Sequence, residues 1–239
     1  MIPVEPPRAT GAPRKPFAKA ADRWLCSRSV DIEDPKDIVR RGYDAASRRY
    51  DDAYGADTKY EALLSDLCRR IPAGSAVLDV GCGSGVPVAR TLVAAGHRVT
   101  GMDISEVQIR RAQERVPQAE FIRGDATTLT FDPASFDAVV CLYALIHIPL
   151  AEQSPLLRRI AGWLRPGGWF VATTGHGAWT GIEENWLGGG APMWWSHADA
   201  ATNRAWITQA GLMVEREEFL PEGFSGHALF WARRPARPA

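Results

Sequence analysis

The stretch "VLDVGCGSG", residues 77–85, decides the reading of this chain. An apolar run ends at Asp79 and Val80, and Gly81, Gly83 and Gly85 follow at every second position. Glycine at that density packs nothing and costs backbone entropy, so something must approach this backbone too closely for side chains. The neighbouring texture supplies the frame. "AVLDV" (76–80) predicts a short buried strand, "VPVARTLVAAG" (86–96) a helix ended by Gly96, and "HRVTGMD" (97–103) a second strand. "SEVQIRRAQERV" (105–116) opens with Ser105 and Gln108 in capping-box spacing, which predicts a helix. "AEFIRGD" (119–125) reads as a third strand, and the unbroken apolar "FDAVVCLYAL" (136–145) suits the middle of a parallel sheet. "SPLLRRIAGWL" (154–164) predicts a helix with Pro155 in its first turn, and "GGWFVATT" (167–174) a fifth strand.

Further out, "DIVRRGYDAASRRYDDAYG" (37–55) and "TKYEALLSDLCRRI" (58–71) read as helices ahead of the first strand. A helix at about 198–210 is ended by Gly211. "LMVEREEFL" (212–220) and "HALFWARR" (227–234) have no helix between them and predict an antiparallel pair. The expected fold class is α/β: a doubly wound, mostly parallel sheet of seven strands, with an antiparallel last strand and N-terminal helices. Residues 1–36, rich in proline at the start and without an apolar signal core, are expected to be a disordered or weakly ordered tail; the domain is expected over 37–239.

Lysine plus arginine and aspartate plus glutamate number 28 each, so the formal charge is zero, against the basic surplus of a nucleic-acid binder. Cys26, Cys68, Cys82 and Cys141 follow no metal-ligand or disulfide spacing, and no apolar run approaches the roughly twenty residues of a membrane span. The expectation is a cytoplasmic monomer or homodimer without a metal, acting on a small molecule rather than a nucleic acid or a membrane.

Asp79, Asp103 and Asp125 fall at the ends of the first three strands and therefore along one edge of the sheet, where such folds bind nucleosides. A carboxylate after the second strand suits a ribose diol, and one after the third an adenine amino group. One beside the glycine turn suits an ammonium. The turn spells GxGxG rather than GxGxxG, and no group is set for a pyrophosphate, which weakens a dinucleotide reading.

With these pieces the chain resembles the class I S-adenosylmethionine-dependent methyltransferases. "VLDVGCGSG", "VTGMDIS", "GDATTL", "FDAVVCLYALIHI" and "LRPGGWFVAT" occur in family order and spacing. The resemblance implies a Rossmann-like methyltransferase fold with S-adenosylmethionine as cofactor. Gly81, Gly83 and Gly85 would cradle its methionine part with Asp79 beneath. Asp103 would take the ribose hydroxyls, Ile104 would lie beside the adenine, Asp125 and Ala126 would read its edge, and Cys141 would face the amino acid end. Tyr43 looks like the lid aromatic of related enzymes.

Methyl transfer from a sulfonium needs in-line alignment and, for a hydroxyl acceptor, a base. His147, past the fourth strand, and His176, past the fifth, are the candidate catalytic residues, each with the alternative of a structural hydrogen bond. The segment 176–199 is too rich in tryptophan for a plain linker and is expected to line a substrate pocket. Tyr143, Trp179, Glu183, Trp186, Met193 and Trp194 are the candidate substrate residues, and Gly188 to Gly190 would let the segment move as a lid. Expected chemistry is transfer to oxygen or nitrogen of an aromatic or amine-bearing molecule. Carbon methylation, a cofactor-binding protein without transferase activity, and an NAD-dependent oxidoreductase stay open.

Overall fold

A computed structural model describes residues 33–54, 59–223 and 225–236. Among these residues the chain runs α1 (Pro35–Tyr54), α2 (Lys59–Arg70), β1 (Ala76–Val80), α3 (Val88–Ala94), β2 (Arg98–Asp103), α4 (Glu106–Arg115), β3 (Glu120–Arg123) and β4 (Phe136–Cys141). It continues through α5 (Leu150–Trp163), β5 (Leu164–Gly175), β6 (Trp179–Glu183), β7 (Met193–His197), α6 (Ala200–Gln209), β8 (Met213–Glu222) and β9 (Ser225–Arg233). Seven strands form one sheet in the order β3-β2-β1-β4-β5-β9-β8. β1 to β5 run parallel, and β9 enters antiparallel between β5 and β8.

Alternation within the strands feeds two cores. Leu78, Val80, Val139 and Phe170 point to the face covered by Leu156, Leu157, Ile160 and Ile207 of α5 and α6. Val77, Val99, Val140 and Val171 point to the opposite face, covered by Leu63, Leu64 and Leu67 of α2 and Leu92 of α3. Strand order reverses between β1 and β4, so their C-terminal ends splay into a crevice.

Three local expectations are corrected. The expected tail over 1–36 lies outside the described residues up to position 32, and α1 already starts at Pro35. Asp34 accepts from Lys36 N (3.0 Å), and proline at the first helical position needs no N–H partner. Helix α5 starts at Leu150, so Pro155 lies inside it rather than in its first turn. The segment 176–199 is no irregular loop: β6 and β7 pair as an antiparallel hairpin, with Trp186 on a helical turn between them. This hairpin packs on α1, where a methyl group on Gly42 would lie 2.7 Å from Met193 Cε and 2.8 Å from the Pro192 carbonyl. The backbone oxygen cannot yield, so Gly42→Ala is expected to cost about 1–2 kcal/mol, read as a lower midpoint in urea denaturation. A midpoint equal to wild type would contradict the close contact.

Candidate functional site

The glycine turn leaves β1 with Gly81, Gly83 and Gly85 all at positive φ (72°, 52° and 77°). A methyl group on Gly81 would sit 2.3 Å from Ala144 Cβ, so the turn is pressed against the segment after β4. Gly81 and Cys82 donate from the backbone to the Met102 carbonyl, which ties the turn to β2. Asp103, the last residue of β2, accepts from Gly83 N (3.0 Å) and Ser105 N (2.8 Å), so the carboxylate and the turn are locked together. Ser105 caps α4 by accepting from Gln108 N (3.1 Å), as its spacing predicts.

These groups open on a cavity of about 1140 Å³, its mouth included. Asp79, Gly81, Gly83, Asp103, Ile104, Asp125, Ala126, Tyr43, Tyr143 and His147 all line it. Asp79 is buried, and its Oδ2 has no hydrogen-bond partner among the described residues. Burial, with the Asp103 charge nearby, pushes its carboxyl up to about 8. Burial raises Asp103 to about 6, against the pull of its backbone donors. Gln108 Nε2 is a second buried, unpaired polar atom on the same cavity, and it is a donor. An orphaned acceptor and an orphaned donor facing one space call for a ligand that supplies both complements.

Helix α1 roofs this cavity through polar contacts along its length. Lys36 Nζ reaches Asp125 Oδ2 (2.7 Å) and Glu152 Oε2 (2.8 Å). Asp44 Oδ1 accepts from Ser105 Oγ (2.6 Å), and Ser47 Oγ donates to Gln108 Oε1 (2.6 Å). Asp51 accepts from Ser84 Oγ (3.0 Å) and pairs with Arg111 and Arg115. Burial alone would raise Asp125, but the Lys36 ammonium outweighs it and holds the carboxyl below its ordinary range.

At mid-helix, Tyr43 Oη lies 3.0 Å from His147 Nε2, and His147 Nδ1 lies 2.8 Å from the Trp194 carbonyl. A carbonyl only accepts, so Nδ1 carries the proton and Nε2 accepts from the Tyr43 hydroxyl. Burial lowers His147 to about 4, which keeps the ring neutral near pH 7.

A second cavity of about 350 Å³ shares Tyr43, Tyr50, Tyr54, Tyr60, Tyr143 and His147 with the first. All five tyrosines of the chain, 43, 50, 54, 60 and 143, line it, together with Trp186, Trp195, Glu222 and His227. Trp186 packs edge-on against Tyr43 (centroids 5.2 Å apart), and Trp195 lies 4.3 Å from the His147 ring. Tyr143, at φ +59°, stands 4.9 Å from His227. A positive φ at a bulky residue is strained, and its backbone N–H is held by Thr173 Oγ1 (2.5 Å).

The candidate residues thus separate. Trp186 and Tyr143 line the aromatic cavity. Met193 is fully buried beneath α1 and reaches neither cavity, and Trp194 contributes its carbonyl. Glu183 and Trp179 lie exposed on the outer hairpin strand, away from both cavities. His176 is exposed against Phe219 (4.7 Å) and lines neither cavity. Cys141 corrects the expectation made for it: alternation along β4 buries its thiol in the core under α5, where burial drives it up to about 12, and Leu142 turns to the cavity instead. Sequence reasoning missed Lys36 and Glu222, read His227 as structural, and covered Trp195 only as part of the segment 176–199. Among the described residues no group of histidine, cysteine and carboxylate side chains is placed to hold a metal, and no helix is long and apolar enough to cross a membrane.

Comparison with known proteins agrees with this geometry. The methyltransferase domain family matches residues 77–168, from β1 into β5. The chain is 34% identical over 152 residues to the 27-O-demethylrifamycin SV methyltransferase of Amycolatopsis mediterranei, covering 54% of this chain and 55% of that protein. It spans little more than half the length of the curated relatives it matches first. Magnesium protoporphyrin IX methyltransferase from Synechocystis, with S-adenosylhomocysteine bound, superposes with a TM-score of 0.67 at 22% identity, over 84% of this chain and all of that one. The 1,6-didemethyltoxoflavin-N1-methyltransferase of Burkholderia thailandensis superposes with the same score at 17% identity, over 90% and 100%. At those identities the likeness is one of fold, and it coincides with the sequence match at the glycine turn and the strand-end carboxylates. By fold, motif order and the domain match over residues 77–168, the chain is similar to the class I S-adenosylmethionine-dependent methyltransferases.

Proposed function

We propose that this chain transfers a methyl group from S-adenosylmethionine to oxygen or nitrogen of a small, aromatic or amine-bearing molecule seated among the tyrosines. The observation that carries this reading is the junction of a carboxylate-lined cavity with an aromatic one across Tyr43 and His147. The bound cofactor supplies an electrophilic methyl group on a sulfonium.

Asp79, short of a partner, holds the ammonium of the methionine part against the glycine turn. Asp103 keeps lone pairs beyond those used by Gly83 and Ser105 and accepts from the ribose diol. Ile104, Asp125 and Ala126 border the adenine, and α1 excludes water above them. His147 is a weak base at about 4, so taking a proton from an alcohol would run steeply uphill, about 1.4 kcal/mol for each unit of mismatch. The Tyr43–His147 pair therefore orients an acceptor that brings its own lone pair, a neutral amine or an ionised phenol.

His147→Ala is expected to lower kcat by about tenfold through lost alignment, less than the 10²–10⁴ of a lost general base. The acidic limb of the pH–rate profile should stay where it is. Loss of that limb, or a drop beyond a thousandfold, would restore the general-base role. The reading as a whole is tested by calorimetric titration with S-adenosylmethionine, followed by a screen of phenols, catechols and amines for S-adenosylhomocysteine release. No cofactor binding overturns it. Binding without turnover on any acceptor favours a non-catalytic cofactor-binding protein.

A further inference from the structure

Ser105 and Gln108 stand in capping-box spacing, yet the Gln108 side chain does not close the box. The Ser105 N–H, which a capping-box side chain at position 108 would bind, already donates to Asp103 Oδ1 (2.8 Å). The Gln108 amide is thereby released from the cap and lies buried between α1 and the larger cavity. Ser47 of α1 sets its orientation. Arg111 donates to Ser47 Oγ, and a guanidinium has no acceptor, so the hydroxyl hydrogen of Ser47 points elsewhere. It goes to Gln108 Oε1, 2.6 Å away. The other end of the amide, Nε2, has no partner among the described residues. A Cβ on Gly83 would lie 3.8 Å from this nitrogen, and the Gly83 N–H is held by Asp103 Oδ2 (3.0 Å). An unpaired donor and a carboxylate acceptor therefore flank one glycine of the turn. A hydroxyl group answers both, because it gives its hydrogen to the carboxylate and accepts from the amide on a lone pair.

We infer that Gln108 is a further cofactor-binding residue, donating from Nε2 to a ribose hydroxyl that Asp103 also binds, and that Ser47 is the positioning residue that orients the amide. The inference rests on the reading of the larger cavity as the S-adenosylmethionine site. Its consequence is a link between α1 and the sugar. Ser47 holds Gln108, and Asp44 accepts from Ser105 Oγ (2.6 Å), so α1 grips the first turn of α4 at two points. With α1 lifted from that turn the Gln108 amide is free to rotate, and the sugar is read in full only beneath a seated helix. A sugar lacking the hydroxyl presents C–H to both groups and leaves the buried amide unpaired.

The test is calorimetric titration of the full chain with S-adenosylhomocysteine and its 2′-deoxy and 3′-deoxy analogues. Gln108→Met keeps the side-chain length and removes the donor, and it should weaken S-adenosylhomocysteine about tenfold. The analogue without the hydroxyl that Gln108 reads should bind this variant no more weakly than it binds wild type. Ser47→Ala should weaken S-adenosylhomocysteine about threefold alone and not at all in the Gln108→Met background, the non-additivity of two residues acting through one contact. A serine with a structural role only would lower the unfolding midpoint and show no such coupling in affinity. Gln108→Glu keeps the acceptor for Ser47 and serves if Gln108→Met fails to fold; it sets a second carboxylate across Gly83 from Asp103 and should lose at least as much affinity. Unchanged affinity in the Gln108 variants, or a loss of equal size for all three ligands, overturns the Gln108 contact. Additive losses in the double variant overturn the role of Ser47. If none of the three ligands binds wild type, the cofactor reading falls and this inference with it, whereas the other adverse results leave that reading standing.

Discussion

Asp103→Ala is expected to weaken S-adenosylmethionine binding by about 100-fold or more, with little change in the global unfolding midpoint. In the proposed role the carboxylate accepts from two ribose hydroxyls, and hydrogen bonds to a charged group contribute about 1.5–3 kcal/mol each. Removing it also frees the N–H groups of Gly83 and Ser105, so the turn loses its tie to α4. Burial holds Asp103 up to about 6 in the free protein, so part of its cost in the empty site disappears with the mutation, and the midpoint is protected. Calorimetric titration of wild type and variant decides the matter. An affinity within threefold of wild type would remove Asp103 from the ribose role.

The second large effect concerns Asp79, where pH supplies the signature. Its folded value, about 8, lies above the ordinary 3.8, so between those limits the folded protein binds the extra proton. The stability it contributes is greatest at low pH and is lost as pH rises through that window. Binding an ammonium reverses the preference, because the carboxylate must then be ionised. S-adenosylmethionine affinity should accordingly climb as pH rises from 6 to 8, with proton release to the buffer on binding. Asp79→Asn keeps the shape and removes the charge. It should bind the cofactor about 30-fold more weakly near pH 8, lose the pH dependence, and unfold at a higher midpoint than wild type at that pH when the site is empty. The combination is diagnostic, since a purely structural aspartate would not trade affinity for stability. Titrations in two buffers of different ionisation enthalpy, with melting curves at pH 6 and pH 8, would measure it. A variant whose affinity still rises with pH would sink the ammonium role.

The parallel part of the sheet was open to pattern reading because β1, β2 and β4 carry apolar runs and each is followed by a helix. Gly96 and the Ser105 cap mark such boundaries, and the three aspartates line one edge for the same topological reason. Cys141 misled because it lies at a strand end, where one step of alternation separates a core thiol from Leu142 at the cavity. The β6–β7 hairpin was hidden because its outer strand is exposed at almost every position and shows no buried face to detect. The aromatic cavity draws on residues from Tyr43 to His227, and no local window contains a signal for that convergence. The tryptophans attracted attention by their density, yet the sparser tyrosines contribute more of the wall than they do.

Strand β9 occupies an interior position, between β5 and β8, although every strand around it comes earlier in the chain. Pairing Val171 with Trp231 joins residues far apart in sequence, and such contacts close slowly because loop entropy opposes them. The glycine turn, β1, β2 and β4 can assemble from neighbouring segments, whereas the wall bearing Glu222 and His227 waits for the final insertion. During refolding, competence to bind the nucleoside should therefore precede competence to recognise the acceptor.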